Sequence, residues 1–374
     1  MVRITTKNLF HEPIKLMLII SGLCFSLLIV HIGMGMINGS VGEATKLVDE
    51  SDYDAFILQK NRPNILMGGR ISDDIYDDIK DADCVEYVDK IIDEYVELKT
   101  GEEKASVAII GYDIDSDCLE PWNVIQGNKN DLKKNNKIIV DRIIKKYFPD
   151  IKVGDILTGG YFDDELEVVG ICKNAQRFGN AIIWTNLETA KKLLYIQNES
   201  TYLAVKTKKG YYVDDLKDLM KEYEDDVKTY SSEEMKDQLR EFLLFDMGMA
   251  SSIGILVIIG FMVSMIVVSI TLYQSVSEKI SEFVSLKALG ASKGYINGIL
   301  IAQTFIIVSI SYAISIITAI ILAPMISQVA SLAVAVNTSM AVVTYFITLA
   351  LGIFCSLFSI RKVHKTDPGI IFRA

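Results

Sequence analysis

Three stretches of the chain, residues 16–42, 247–277 and 294–360, contain no Asp, Glu, Lys or Arg. A hydrocarbon core of about 30 Å takes roughly 20 apolar helical residues, so the first two stretches predict one membrane span each and the third predicts two. Ala323-Pro324-Met325 and Asn337-Thr338-Ser339 mark the break between that last pair, because proline and small polar residues interrupt helices. The predicted spans are 16–38, 247–272, 298–322 and 338–360. The first is longer than a signal-peptide core, and Met34-Gly35-Met36-Ile37-Asn38-Gly39 lacks a small-x-small cleavage site, so it reads as a retained anchor.

The pattern between spans 1 and 2 is different. Segments 53–59, 85–98, 105–112, 166–171 and 201–207 are β-rich or alternate, whereas 72–81, 187–194 and 213–223 have helical apolar spacing. Two β-α-β-like blocks, 53–85 and 201–230, flank the stretch 101–198. This predicts an α+β domain over 39–246 with 101–198 inserted as a second lobe. Ser231 and Glu234 have the spacing of a capping box, and the helix they open is expected to run through Met235 to Phe245 into span 2 as a stalk.

Composition sharpens this picture. The averages, 50% hydrophobic and 23% charged residues, conceal the segregation described above, which excludes an ordinary soluble enzyme. The segments 1–15, 273–297 and 361–374 carry 10 of the 38 Lys and Arg residues and 4 of the 48 acids. By the positive-inside rule they face the cytoplasm. The 39–246 segment then holds 28 basic and 44 acidic residues, a net charge of −16, on the outer side. Nucleic acid is a poor partner for such a surface.

The candidate chemistry is sparse. Asp73, Asp74, Asp77, Asp78 and Asp81 recur at helical spacing without the glycine and ligand order of a calcium loop, and no metal site is assigned. The three outer cysteines, Cys84, Cys118 and Cys172, form no CxxC, and no disulfide is assigned. His31, inside span 1, reads as a neutral imidazole bonded to a neighbouring helix. Neither a phosphate-binding P-loop nor a Gly-x-Ser-x-Gly motif occurs. No catalytic residue is assigned, and ATP hydrolysis by this chain is not expected.

The most informative segment lies between spans 2 and 3. Ile280, Phe283, Val284 and Leu286-Lys287 fall at helical spacing, Gly290 suits a helix C′ position and Ser292 an N-cap. Glu278 and Glu282 are four apart, and a face with two carboxylates suits a basic protein surface better than anionic lipid. The string Glu278-Lys279-x-x-Glu282-Phe283-x-x-Leu286-Lys287-Ala288-Leu289-Gly290-Ala291-Ser292 resembles the coupling signature of FtsX/MacB-like ABC transporter permeases. The order of one span, a large outer domain, three spans and a basic tail with Thr366-Asp367-Pro368 is similar too, as is Asn8-Leu9 ahead of span 1. Asp52-Tyr53-Asp54-Ala55-Phe56 and Leu119-Glu120-Pro121-Trp122 look most like the DevC-like exporter branch. Lys279 stands where Arg is frequent, and Phe283 where an aliphatic residue is usual.

The resemblance implies an α-helical membrane protein with four transmembrane helices and a large α+β extracytoplasmic domain between helices 1 and 2. It implies a mechanotransmission (type VII) permease in the inner membrane of a bacterium, both termini cytoplasmic. Glu278, Lys279, Glu282, Leu286, Lys287, Ala288, Leu289, Gly290 and Ala291 would couple it to a separate ABC ATPase, which would hold the ATP and magnesium, this chain binding no cofactor. A second permease copy is expected, the small residues Gly248, Ser251, Ser252 and Gly254 allowing close helix approach. A periplasmic adaptor is a further candidate partner. The alternative is an FtsX-like regulator that activates a cell-wall hydrolase without transport; the length of segment 39–246 favours export. A membrane-anchored adhesin would need no coupling loop.

Overall fold

The computed structural model describes residues 13–116, 118–278, 280–330 and 332–365, with backbone alone for 286–288, 328, 330 and 358–365. Asn8-Leu9, the basic residues Arg3 and Lys7, Lys279 and the Thr366-Asp367-Pro368 tail lie outside the described residues. The chain divides into a helical unit (1–39, 248–329 and 334–374) and an α/β unit (40–247 with 330–333).

In chain order the elements are helix α1 (Pro13–Glu50), strands β1 (Ala55–Gln59) and β2 (Ile71–Ser72), helix α2 (Asp73–Ile79), strands β3 (Val85–Thr100), β4 (Glu103–Tyr112), β5 (Val124–Gly127), β6 (Lys137–Asp141), β7 (Ile156–Gly159), β8 (Asp164–Cys172), β9 (Gln176–Arg177) and β10 (Asn180–Asn186), helix α3 (Leu187–Leu193), strands β11 (Glu199–Ser200) and β12 (Tyr202–Thr207), helix α4 (Val213–Leu219) and strand β13 (Val227–Ser231). Helices α5 (Ser232–Glu241), α6 (Met249–Glu278), α7 (Ile280–Ala288), α8 (Lys293–Ala330) and α9 (Thr338–Lys365) follow.

The main sheet of the α/β unit runs β13-β1-β12-β3-β4-β10-β6-β8-β5. Its first four strands are all antiparallel to their neighbours, so β1-α2-β3 and β12-α4-β13 are split β-α-β units interleaved with one another. The 101–198 stretch joins this sheet through β3: Val85–Ile91 pairs with β12, whereas Ile92–Thr100 pairs with β4. The boundary between the lobes therefore falls inside one strand, not at Gly101-Glu102, which forms the tight β3–β4 turn with Gly101 at φ 59°.

Both faces of the middle strands are covered. Along β4, Ala108, Ile110 and Tyr112 enter one core cluster and Ala105, Val107 and Ile109 another; in β10, Ile182 and Trp184 enter the first, Ala181 and Ile183 the second. A strand buried on both sides reads as a continuous apolar run, which is why alternation did not reveal β10.

Among the described residues, four helices are long and apolar enough to cross a membrane: Pro13–Glu50, Met249–Glu278, Lys293–Ser327 and Thr338–Leu357. In α8 the helix does not stop before Pro324, as predicted, but continues to Ala330; apolar helices tolerate proline where neighbours and local adjustments satisfy the freed carbonyl. Asn337 then caps α9, its Oδ1 accepting the Met340 amide at 2.8 Å. α6 buries one stripe, Val257, Gly260, Ser264, Val268 and Thr271. A Cβ on Gly260 would sit 2.7 Å from Val30 Cγ2, and the Ser26 and Ser264 hydroxyls bond there at 2.9 Å. His31 is buried in α1, its Nδ1 3.0 Å from Ser315 Oγ of α8, as the plain reading of that residue predicts. Tyr312 of α8 reaches Thr344 of α9 at 2.8 Å.

The stalk expected beyond Ser231 is interrupted. Ser231 and Glu234 do form the reciprocal capping box, but α5 gives way to a π-helical turn over Phe242–Asp246. Gly248 then takes φ 71°, a left-handed conformation that ends a helix, so α5 and α6 are separate helices.

Candidate coupling site

Helix α7 is short, and it is shaped by what sits behind and after it. Phe283 and Val284 are buried, and Phe283 shares a core cluster with Val276 of α6 and Ile296, Ile299 and Leu300 of α8. These residues pack against the first two turns of α8, which begins at Lys293 directly after the N-cap position read at Ser292. The Leu289 amide still bonds to the Ser285 carbonyl at 3.0 Å. Gly290 follows at φ 90°, where any L side chain is strained. Ser292 Oγ accepts the Tyr295 amide at 3.2 Å and caps α8. Sequence, cap and packing thus give a helix anchored from behind, ending in a sharp turn.

Of the residues read as coupling contacts, Glu278, Glu282, Leu289 and Gly290 are exposed, as are Ser281 and Ser285; Leu289 is 85% exposed. Ala291 is half-buried. Leu286, Lys287 and Ala288 lie on the α7 backbone with side chains outside the described atoms, and Lys279 is not described. Glu278 closes α6 and forms an ion pair with Lys15 of α1. That partner was not anticipated: of the two carboxylates expected to meet another protein, Glu278 has an intramolecular cation, and Glu282 is exposed with no ion pair among the described residues. The same pair sets the N-terminal end of α1 beside the C-terminal end of α6.

Of the small residues proposed for helix approach, Gly248 and Gly254 are half-buried. Ser251 and Ser252 are exposed and donate back to the Gly248 carbonyl at 3.0 and 2.9 Å, and a Cβ on Gly254 would meet nothing within 4 Å. The α6 glycine that packs against another helix is Gly260, whose Gly260-x-x-x-Ser264 spacing was the available signal.

The α/β unit contains a second cluster that sequence reasoning missed. Glu43 and Lys46 of α1 bond to the 174–178 loop. Burial pushes the Glu43 carboxyl above its ordinary range, against Gln176, the Phe178 amide and Lys46, which favour the charged form. An open cleft of about 470 Å³ elsewhere on the unit is lined by Lys90, Asp113, Asp115, Lys133, Glu188 and Lys191. Its three lysines are paired: Lys133 with Asp115, and Lys90 and Lys191 with Asp73, the latter at 2.6 Å.

These features define a membrane-embedded helical protein with a large α/β domain and an anchored interhelical turn. The chain matches the family model of the MacB-like periplasmic core domain over residues 16–223, more than half its length, and that of the FtsX-like permease C-terminal over 254–368. It belongs to the FtsX/MacB-like permease family. Similar solved structures include the periplasmic region of MacB from Actinobacillus actinomycetemcomitans, at 12% identity over 51% of this chain and 95% of that one, TM-score 0.39. The extracellular domain of the ABC-type transporter YknZ from Gram-positive bacteria gives 16%, 46%, 87% and 0.32. A domain of a permease protein from Porphyromonas gingivalis gives 13%, 48%, 89% and 0.33. A comparison with curated proteins finds no match.

Proposed function

We propose that this chain is the permease subunit of a bacterial inner-membrane ABC exporter. In this reading both termini and the 273–297 segment are cytoplasmic, the α/β unit lies outside the membrane between spans 1 and 2, and two copies assemble with their Gly254 faces together. A separate ATPase subunit binds ATP and magnesium and docks on residues 278–291. Its movement passes through α1 to the outer unit, which works on a substrate or an adaptor there. The spans need not form a channel, which fits the lack of buried Asp, Glu, Lys or Arg in them among the described residues.

The observation that carries this reading is the α7 turn. Phe283 and Val284 fasten it from behind, while Glu282 and Leu289 stay outward beside a glycine whose φ of 90° no bulky residue accepts cheaply. A helix resting on anionic lipid has no use for an outward carboxylate; a protein groove with basic residues has. The test is co-purification of the full complex from mild detergent with Glu282→Lys and Gly290→Val. Both variants are expected to insert normally and to lose ATPase association and stimulated turnover. Normal association and turnover in both would overturn the coupling assignment, and recovery of a cell-wall hydrolase in place of an adaptor would overturn export.

A further inference from the structure

Beyond its apolar run, α1 carries four charged residues, of which Asp49 and Glu50 are exposed, while Glu43 and Lys46, three apart on one helical face, are half-buried. Glu43 uses both carboxylate oxygens: one accepts from Gln176 Nε2 and the other from the Phe178 backbone amide at 2.9 Å. Lys46 donates to the Asn174 carbonyl. The same carbonyl receives Trp122 Nε1 at 3.0 Å, and the Lys46 ammonium stands 5.6 Å from the Trp122 ring centre. All of these partners belong to the α/β unit and lie on, or against, the loop between β8 and β10, which contains the two-residue strand β9 paired with β10.

That loop needs to be held. Asn174, Phe178 and Gly179 have φ of 59°, 49° and 77°. Non-glycine residues keep such a conformation only where the surroundings over-determine it. On its inner side Asp141 accepts the Ala175 amide at 2.8 Å; on its outer side the hold is Glu43 and Lys46. Between the two grips sits Arg177, buried, with its guanidinium on both oxygens of buried Asp93 at 2.6 and 2.8 Å. Asp93 is in β3, the strand shared by both parts of the sheet, and its amide donates to Thr201 Oγ1 at 3.0 Å. Separating the Arg177–Asp93 pair would strand a buried charge, so this link is stiff. The Glu43 and Lys46 contacts, half-exposed and made partly to backbone, are the compliant joint in the same line.

We infer that Glu43 and Lys46 are positioning residues that clasp α1 to the 174–178 loop, so that movement of α1 reaches β3 through Arg177 and Asp93. The inference rests on the reading of α1 as the helix that carries ATP-driven motion. It adds the point of attachment. Leu47 and Val48 enter the large core cluster, which fixes the helix end in place; the clasp determines what that end pulls on.

The test uses the full chain in lipid nanodiscs, first alone and then with its ATPase, read by hydrogen exchange. In Glu43→Ala/Lys46→Met, amides of 174–180 are expected to exchange about tenfold faster or more, since hydrogen bonds to charged groups are lost. Peptides of β1 and β13 should keep wild-type rates and so report intact folding. Glu43→Gln, which retains an acceptor for the Phe178 amide, should fall between. Wild-type exchange at 174–180 in the double variant would overturn the clasp without touching the proposed function. With the ATPase bound, ATP and vanadate should alter exchange at 174–180 in wild type and fail to do so in the double variant, while association and basal turnover stay unchanged. Persistence of the ATP-linked change in the double variant would overturn the route through the clasp. Absence of any ATP-linked change in wild type would overturn the proposed function, and the inference with it.

Discussion

The helical unit and the α/β unit of this chain are held together by opposite means. In the α/β unit a two-faced sheet removes large apolar areas from water, at about 25 cal/mol per Å², and can afford a buried ion pair at Arg177–Asp93. In the helical unit, lipid is as apolar as the side chains, so burial of area contributes little. There the contacts are close backbone approach at Gly260, where Val30 leaves no room for a Cβ, and single hydroxyl or imidazole bonds such as His31–Ser315. One unit is therefore sensitive to unpaired charge and the other to added volume.

Three substitutions test that contrast. The largest effect is expected at Arg177→Met, which leaves Asp93 buried and unpaired and should cost about 3–5 kcal/mol. Trp122 and Trp184 are the only tryptophans and both belong to the α/β unit, so their fluorescence during urea unfolding of the full chain in micelles reads this unit selectively. A loss below about 1 kcal/mol would show that the pair is not the element that holds the sheet together.

Next comes Gly260→Leu. Its Cβ would approach Val30 at 2.7 Å and the Ser26 carbonyl at 3.2 Å, and overpacking of this kind costs about 1–3 kcal/mol. Helicity followed through an SDS titration is the measurement. Gly254→Leu, with open space around it, is the matched control and should leave the subunit unchanged while weakening cysteine crosslinks between copies. Equal loss of helicity in the two variants would erase the distinction between the inward and outward small residues of α6.

The smallest effect belongs to Ser315→Ala, which removes the bond to His31 Nδ1. Interhelical hydrogen bonds in membranes average about 0.6 kcal/mol, so the SDS midpoint should move slightly, and far less than for Gly260→Leu. A shift as large as that of Gly260→Leu would mean that polar contacts, not close approach, govern the helical unit.

How much of this was legible in the chain depended on whether a feature repeats locally. The α7 turn was readable because Phe283, Val284, Gly290 and Ser292 each have a local conformational reason to be where they are, and the capping box at Ser231 and Glu234 was readable for the same cause. β10 was not, since an apolar run buried on both faces has no period. The persistence of α8 through Pro324 depends on neighbouring helices, and the break at Gly248 turns on a backbone angle that glycine permits without requiring. Lys15 as the partner of Glu278 lies far away along the chain, and nothing local pairs them.

The sequence by itself determined the four apolar helices, the acidic α/β region between the first two of them and the coupling-like turn, because charge segregation, apolar period and caps act over a few residues. Only the tertiary structure decided which charges are spent internally, that both parts of the sheet share β3, and that Glu43 and Lys46 close on the 174–178 loop. Those outcomes depend on which distant side chains meet, and on the cost of leaving a buried charge or amide without a partner. That cost is set by surroundings which no short stretch of residues contains.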